Sequence, residues 1–136
     1  MSQHYNQNYT REQIAAVLAT IQDCIRDGRF IISKNESRQE NIDFITEYNL
    51  NSKRQKEILL TIKTEDFCHS LKNKKVGFEH EDLYVFCPQV KLFNFNGIKE
   101  MIDIYTKFNL INSESGERVV VISFHKRNKK IDYLFR

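Results

Sequence analysis

The chain has 136 residues and a formal net charge of +3, with 29% charged and 40% hydrophobic residues and a mean hydropathy of −0.55. That length suits one domain spanning residues 1–136, able to bury about two-thirds of its unfolded surface, and the composition is that of a water-soluble protein. No apolar run approaches the ~20 residues a membrane span needs, and the polar opening MSQHYNQNYT does not read as a secretion signal.

Residues 1–9 carry no periodic pattern and are expected to be disordered. Thr10-x-x-Gln13 is a capping box, and it opens a helix with Ile14, Val17, Leu18, Ile21, Cys24 and Ile25 on one face. Gly28 suits the left-handed close of that helix. Ser37-x-x-Glu40 opens a second helix carrying Ile42, Phe44 and Ile45, and Ser52-x-x-Gln55 a third that ends in Ile58-Leu59-Leu60. A short fourth helix is expected from Glu65 to Leu71, starting at Thr64.

The second half reads as strands. LYVF (83–86) and VKLFNF (90–95) flank Pro88, and Asn96-Gly97 is a hairpin signal. Ile102, Ile104, Phe108 and Leu110 then alternate with Asp103, Tyr105, Lys107 and Asn109, the period of a strand with one wet face. Residues 118–124 and IDYLF (131–135) complete the strand set. The pattern predicts an α+β fold, with N-terminal helices packed on one face of a small twisted, mostly antiparallel sheet and the other face open.

Glu114-Ser115-Gly116 suits a three-residue hairpin loop with the glycine in the left-handed slot of a bulge. Counting outward from Ser113 opposite Glu117 pairs Tyr105 with His125, and directly opposed side chains share a face about 5 Å apart. Lys107, Asp103 and Asn109 join that face with Val119, Val121 and Ser123, while Val120, Ile122 and Phe124 point to the core. A slip of one residue would send His125 to the other side.

From Arg118 to the end stand six basic residues, Arg118, Lys126, Arg127, Lys129, Lys130 and Arg136, against one acid, Asp132. Such a run attracts phosphates, or serves only as a solvated tail that keeps an edge strand soluble. Cleaving RNA without a metal needs a base for the 2′-hydroxyl, a cation for the phosphorane charge and an acid for the departing 5′-oxygen. Tyr105, Lys107, His125, Lys126 and Arg127 contain those types, with Lys129 and Lys130 extending the cationic track. His80-Glu81 and Asp66…His69 offer metal-ligand types without a recognisable ligand spacing. Cys24, Cys68 and Cys87 are scattered and read as reduced thiols. No cofactor is expected.

A helix ending in glycine, TIKTEDFCHS (61–70), EDLYVF (81–86), IYTKFNLI (104–111) and VVVISFHK (119–126), in that order, resembles the MqsR toxins of the RelE-like group of bacterial mRNA interferases. The resemblance covers roughly residues 10–128. It implies a cytoplasmic endoribonuclease that cuts messenger RNA and is silenced by a cognate antitoxin, with engagement of the ribosome left open and no membrane partner. It matches Tyr105 and Lys107 to the tyrosine and lysine of the family's VYLK-type strand. The chain departs from the family where His125 replaces the lysine after SF, His69 replaces the lysine of DFxKS, and Glu81 replaces a glutamine. In this reading His125 is the general acid, Tyr105 positions or deprotonates the 2′-hydroxyl, and His69 and Glu81 support them. The other reading of the same residues is a non-catalytic module that binds nucleic acid or protein through the basic face.

Overall fold

A computed structural model describes residues 5–34 and 38–136. The fold is α+β. Helices α1 (Arg11–Arg26), α2 (Gln39–Glu47) and α3 (Ser52–Leu60) precede most of a six-stranded sheet. Its strands are β1 (Phe30–Ile32), β2 (Phe67–Lys72), β3 (Asp82–Phe86), β4 (Gln89–Phe93), β5 (Lys99–Ser113) and β6 (Gly116–Lys126). The order across the sheet is β1-β6-β5-β3-β2, with β4 pairing the first part of β5. Only the three-residue β1 runs parallel to its neighbour, β6. No sequence signal marked β1.

Both halves of the Thr10–Gln13 capping box form, and α1 buries Ile14, Leu18, Ile21, Cys24 and Ile25. Gly28 closes the helix at φ +75°, with its N–H on Ile25 and the Arg29 N–H on Cys24, the five-to-two and six-to-one bonds of a close that needs the left-handed residue. Ser37, expected to open α2, lies outside the described residues. The cap of α3 is Asn51, one residue earlier than expected, its side chain accepting from the Arg54 N–H. The helices bury their apolar stripes with Phe67, Phe86, Ile104, Phe108, Val119, Val121 and Phe124 of the sheet.

Three expectations are corrected. The fourth helix is a 3₁₀ turn, Thr64–Asp66, leading into β2. Phe67, Cys68, His69 and Ser70 are all buried because this strand is covered on both faces, and a strand buried on both faces shows no alternation to distinguish it from helix. IDYLF is not a strand. Ile131 and Tyr133 pack on the sheet face opposite the helices while Leu134 and Phe135 reach the main core, so its apolar residues belong to a segment wedged between two clusters. Residues 5–9 are not loose: Asn6 exchanges backbone hydrogen bonds with Ser70, and the Tyr9 hydroxyl lies 2.6 Å from that of Ser70.

The β5–β6 hairpin turns more tightly than expected, and its extra residue lies elsewhere. Ser113 pairs with Gly116, not Glu117, and a bulge at Ile122 between the Phe108–Val121 and Lys107–Ser123 pairs restores the expected register. Tyr105 therefore does face His125. Below the bulge the faces are exchanged: Val119 and Val121 lie in the core, not on the open face, and Ile122 faces outward. Asn41, fully buried, holds the bulge. Its amide donates to the Ser33 and Ile122 carbonyls and accepts from the Phe124 N–H, replacing a neighbouring strand where β1 has ended.

Candidate functional site

The sheet face away from the helices carries two rows of side chains. In one, Tyr105 opposes His125, their rings 5.5 Å apart and 24° from parallel. In the next, His69 of β2, Val85 of β3, Lys107 of β5 and Ser123 of β6 lie side by side. Alternation within each strand puts these residues on one face, and the bulge at Ile122 keeps β6 in step with β5 there.

This face is partly covered. Ile131 and Tyr133 pack over Cys68, Val85, Cys87 and Tyr105, and the Tyr133 hydroxyl donates to the Cys87 carbonyl at 2.7 Å. Tyr105 is consequently 3% exposed, and burial raises its pKa, so the phenol stays protonated. As a proton acceptor it does not fit this closed arrangement; as a donor or platform it does. The Nζ atoms of Lys107 and Lys129 lie 5.9 and 5.1 Å from the centre of its ring, on the electron-rich π system. Burial pushes the thiols of Cys68 and Cys87 up to about 12 and about 11, which leaves them un-ionised and poor nucleophiles.

His125 is 9% exposed, and its Nδ1 lies 2.8 Å from the Lys126 carbonyl. A carbonyl only accepts, so Nδ1 carries the proton in the neutral ring and Nε2 is the nitrogen left for chemistry. Glu40 stands 3.8 Å from Nδ1. His69 is 2% exposed, and among the described residues its Nε2 has no hydrogen-bond partner, an omission that costs about 1–3 kcal/mol in a buried group. Burial first, then Lys129 and Lys107, lower its pKa to about 4, so it is neutral at pH 7. Glu81 is not with the histidines. Its Oε1 accepts from the amides of Asn73 and Asn109 (2.9 and 3.0 Å), two residues along β5 from Lys107.

The basic run is divided between the two faces. Lys126 pairs with Ile104, a core residue, and its ammonium meets Glu47 at 2.8 Å and the Tyr48 ring on the helical side. Arg127 is tied to Asp103 at 3.3 Å, and Lys130 stands at the rim near it. Lys107 and Lys129 instead line an open groove of about 1050 Å³, together with Arg38, Lys72, Lys74 and Lys75. Lys72 pairs with Asp82, but among the described residues no carboxylate lies in ion-pair reach of the other five cations. Burial, then repulsion from Arg38, Lys129 and Lys74, lowers the Lys107 pKa to about 8. The lysines of the turn after β2 were legible as the run LKNKK (71–75) following an apolar stretch; Arg38 enters through the fold, without a sequence signal.

Among the described residues no three His, Cys, Asp or Glu side chains gather as metal ligands, and no helix is long and apolar enough to cross a membrane. The chain matches no protein-family model and no curated protein.

Proposed function

We propose that the protein is the toxin of a type II toxin–antitoxin pair, a cytoplasmic endoribonuclease that cuts messenger RNA without a metal and is restrained by a cognate antitoxin. The observation that carries the reading is the groove lined by Arg38, Lys72, Lys74, Lys75, Lys107 and Lys129 against one acid, Glu79, in which Lys107 and Lys129 also stand over the Tyr105 ring that faces His125. A single RNA strand placed there has its phosphates neutralised by Arg38, Lys74, Lys75 and Lys129. The 2′-oxygen attacks phosphorus and the 5′-oxygen departs. His125, protonated on Nε2, gives the leaving oxygen its proton, and Lys107 steadies the charge on the phosphorane. With a pKa near 8, part of the Lys107 population is neutral at slightly alkaline pH and able to take the 2′-proton. Tyr105, kept protonated, serves as the aromatic platform on which the Lys107 and Lys129 ammoniums are held.

Burial of Tyr105 and His69 favours a second reading, a module that binds RNA through the same groove and cuts nothing. The purified protein incubated with single-stranded RNA and EDTA separates the two. The toxin reading expects fragments ending in 2′,3′-cyclic phosphate from the wild type and at least about a hundredfold slower cutting by His125→Ala. Equal cutting by both removes His125 from the chemistry. Binding without cutting leaves the module.

A further inference from the structure

Tyr5 lies flat on His69, the ring centres 3.8 Å apart and the planes 8° from parallel. The two rings border a pocket of about 380 Å³ beside the basic groove, completed by Gln7, Lys129, Lys130 and Asp132. The chain after Tyr5 is anchored by the Asn6–Ser70 bridge and by the Gln7 amide on the Cys68 carbonyl at 2.8 Å. The Tyr5 hydroxyl has no hydrogen bond among the described residues, so its ring can leave without breaking that anchorage.

We propose that the Tyr5 ring holds the place of a nucleobase: an unpaired base of single-stranded RNA displaces it and stacks on His69. Four features select a nucleotide over a protein side chain. The vacated surface is a flat aromatic ring at stacking distance, the geometry in which proteins hold splayed bases. Nε2 of His69, buried and without a hydrogen-bond partner among the described residues, is a polar group on that ring that a ribose hydroxyl or a phosphate oxygen satisfies where the base's displacement of Tyr5 opens it. Two ammoniums, those of Lys129 and Lys130, stand at the rim for a phosphate, and the pocket abuts the groove where further cations receive the phosphates that follow. An aromatic side chain of a partner protein would satisfy the stack and leave the other three unused. The inference rests on the groove being an RNA site and adds where a base is gripped and what keeps that grip closed in the free protein.

A short single-stranded oligoribonucleotide carrying 2-aminopurine tests this, titrated into His125→Ala protein to suppress cutting. Adding Tyr5→Ala should tighten binding about three- to tenfold, because the competing ring no longer occupies the site, and should deepen the stacking quench. Tyr5→Phe, which keeps the ring, should bind like the parent. Unchanged or weaker binding by Tyr5→Ala overturns the proposal, as does equal tightening for an abasic strand, which has no base to stack. Lys74→Glu/Lys75→Glu keeps the two failures apart. If that variant loses affinity while Tyr5→Ala gains none, only the base site is wrong. If it binds as before, or the parent binds no RNA, the groove reading falls and the base site with it.

Discussion

The two faces of the β2–β3–β5–β6 sheet differ in what burial does for them. On the helical side Phe67, Phe86 and Phe108 are sealed and meet edge to face at 5.3 and 5.9 Å, with Phe124 beside them. On the opposite side the same strands bury His69, Tyr105 and His125 and half-bury Lys107, which leaves a nitrogen unpartnered among the described residues and pulls two pKa values down. The apolar face supplies folding free energy; the polar face holds chemistry in place against it. Substitutions on the two faces should therefore move stability in opposite directions.

The largest effect belongs to the apolar face. Phe108→Ala should lose about 3–5 kcal/mol of stability in urea unfolding, since the fully buried ring packs on Phe86 between Tyr84 and Val121 of the neighbouring strands and its loss leaves a cavity there. Asn41→Ala comes next, at about 2–4 kcal/mol, because it strips partners from one buried and two half-buried backbone groups at once. It should also weaken RNA binding, as the bulge that turns Ile122 toward the groove loses its support. A loss of stability with RNA affinity intact would detach the bulge from the site.

His69 gives a pH test of the polar face. Its folded pKa of about 4 lies below the ordinary 6.5, so its neutral form is favoured in the fold. Its contribution is fully present above pH 6.5 and is lost as pH falls toward 4, on the order of 3 kcal/mol in all. His69→Phe keeps a ring under Tyr5 and removes the titration. Its stability between pH 7 and 4 should fall less than that of the wild type, and parallel curves would mean the imidazole is not held neutral.

Much of this division was legible in the sequence and some of it was not. Period two in 102–110 separated Ile104 and Phe108 from Tyr105 and Lys107, because a strand with one wet face records its faces in its spacing. The Tyr105–His125 pairing followed from counting, although the extra residue sits at Ile122 and not in the turn. A bulge in mid-strand depends on the side chain that satisfies it, here Asn41, eighty-one residues from Ile122. No local pattern encodes that. Burial on both faces hid β2, and with it the row that sets His69 beside Lys107.

Lys107→Met should raise stability at pH 7. Lysine is charged in both the folded and unfolded chain at that pH, so the whole penalty of the half-buried ammonium is present, about 1–2 kcal/mol after screening. The advantage of methionine should shrink as pH climbs from 8 toward 10.5, where the folded lysine sheds its proton first. The same substitution should weaken RNA binding. A variant that gained stability and kept its RNA affinity would make Lys107 a structural residue.

The smallest effects fall within the run KRNKK (126–130), where the comparison is sharpest because neighbours in sequence serve different faces. Lys126 sits on the helical side in a solvent-exposed pair with Glu47, an arrangement worth about 0.5 kcal/mol, and it does not line the groove. Lys129 lines the groove and has no carboxylate partner among the described residues. Lys126→Ala should therefore shift stability slightly and leave RNA affinity nearly unchanged. Lys129→Ala should do the reverse, lowering the slope of log affinity against log salt by about 0.7 for one lost phosphate contact on a single strand. Equal salt slopes for the two variants would mean that RNA reads the run as undivided charge, with no preference between the faces.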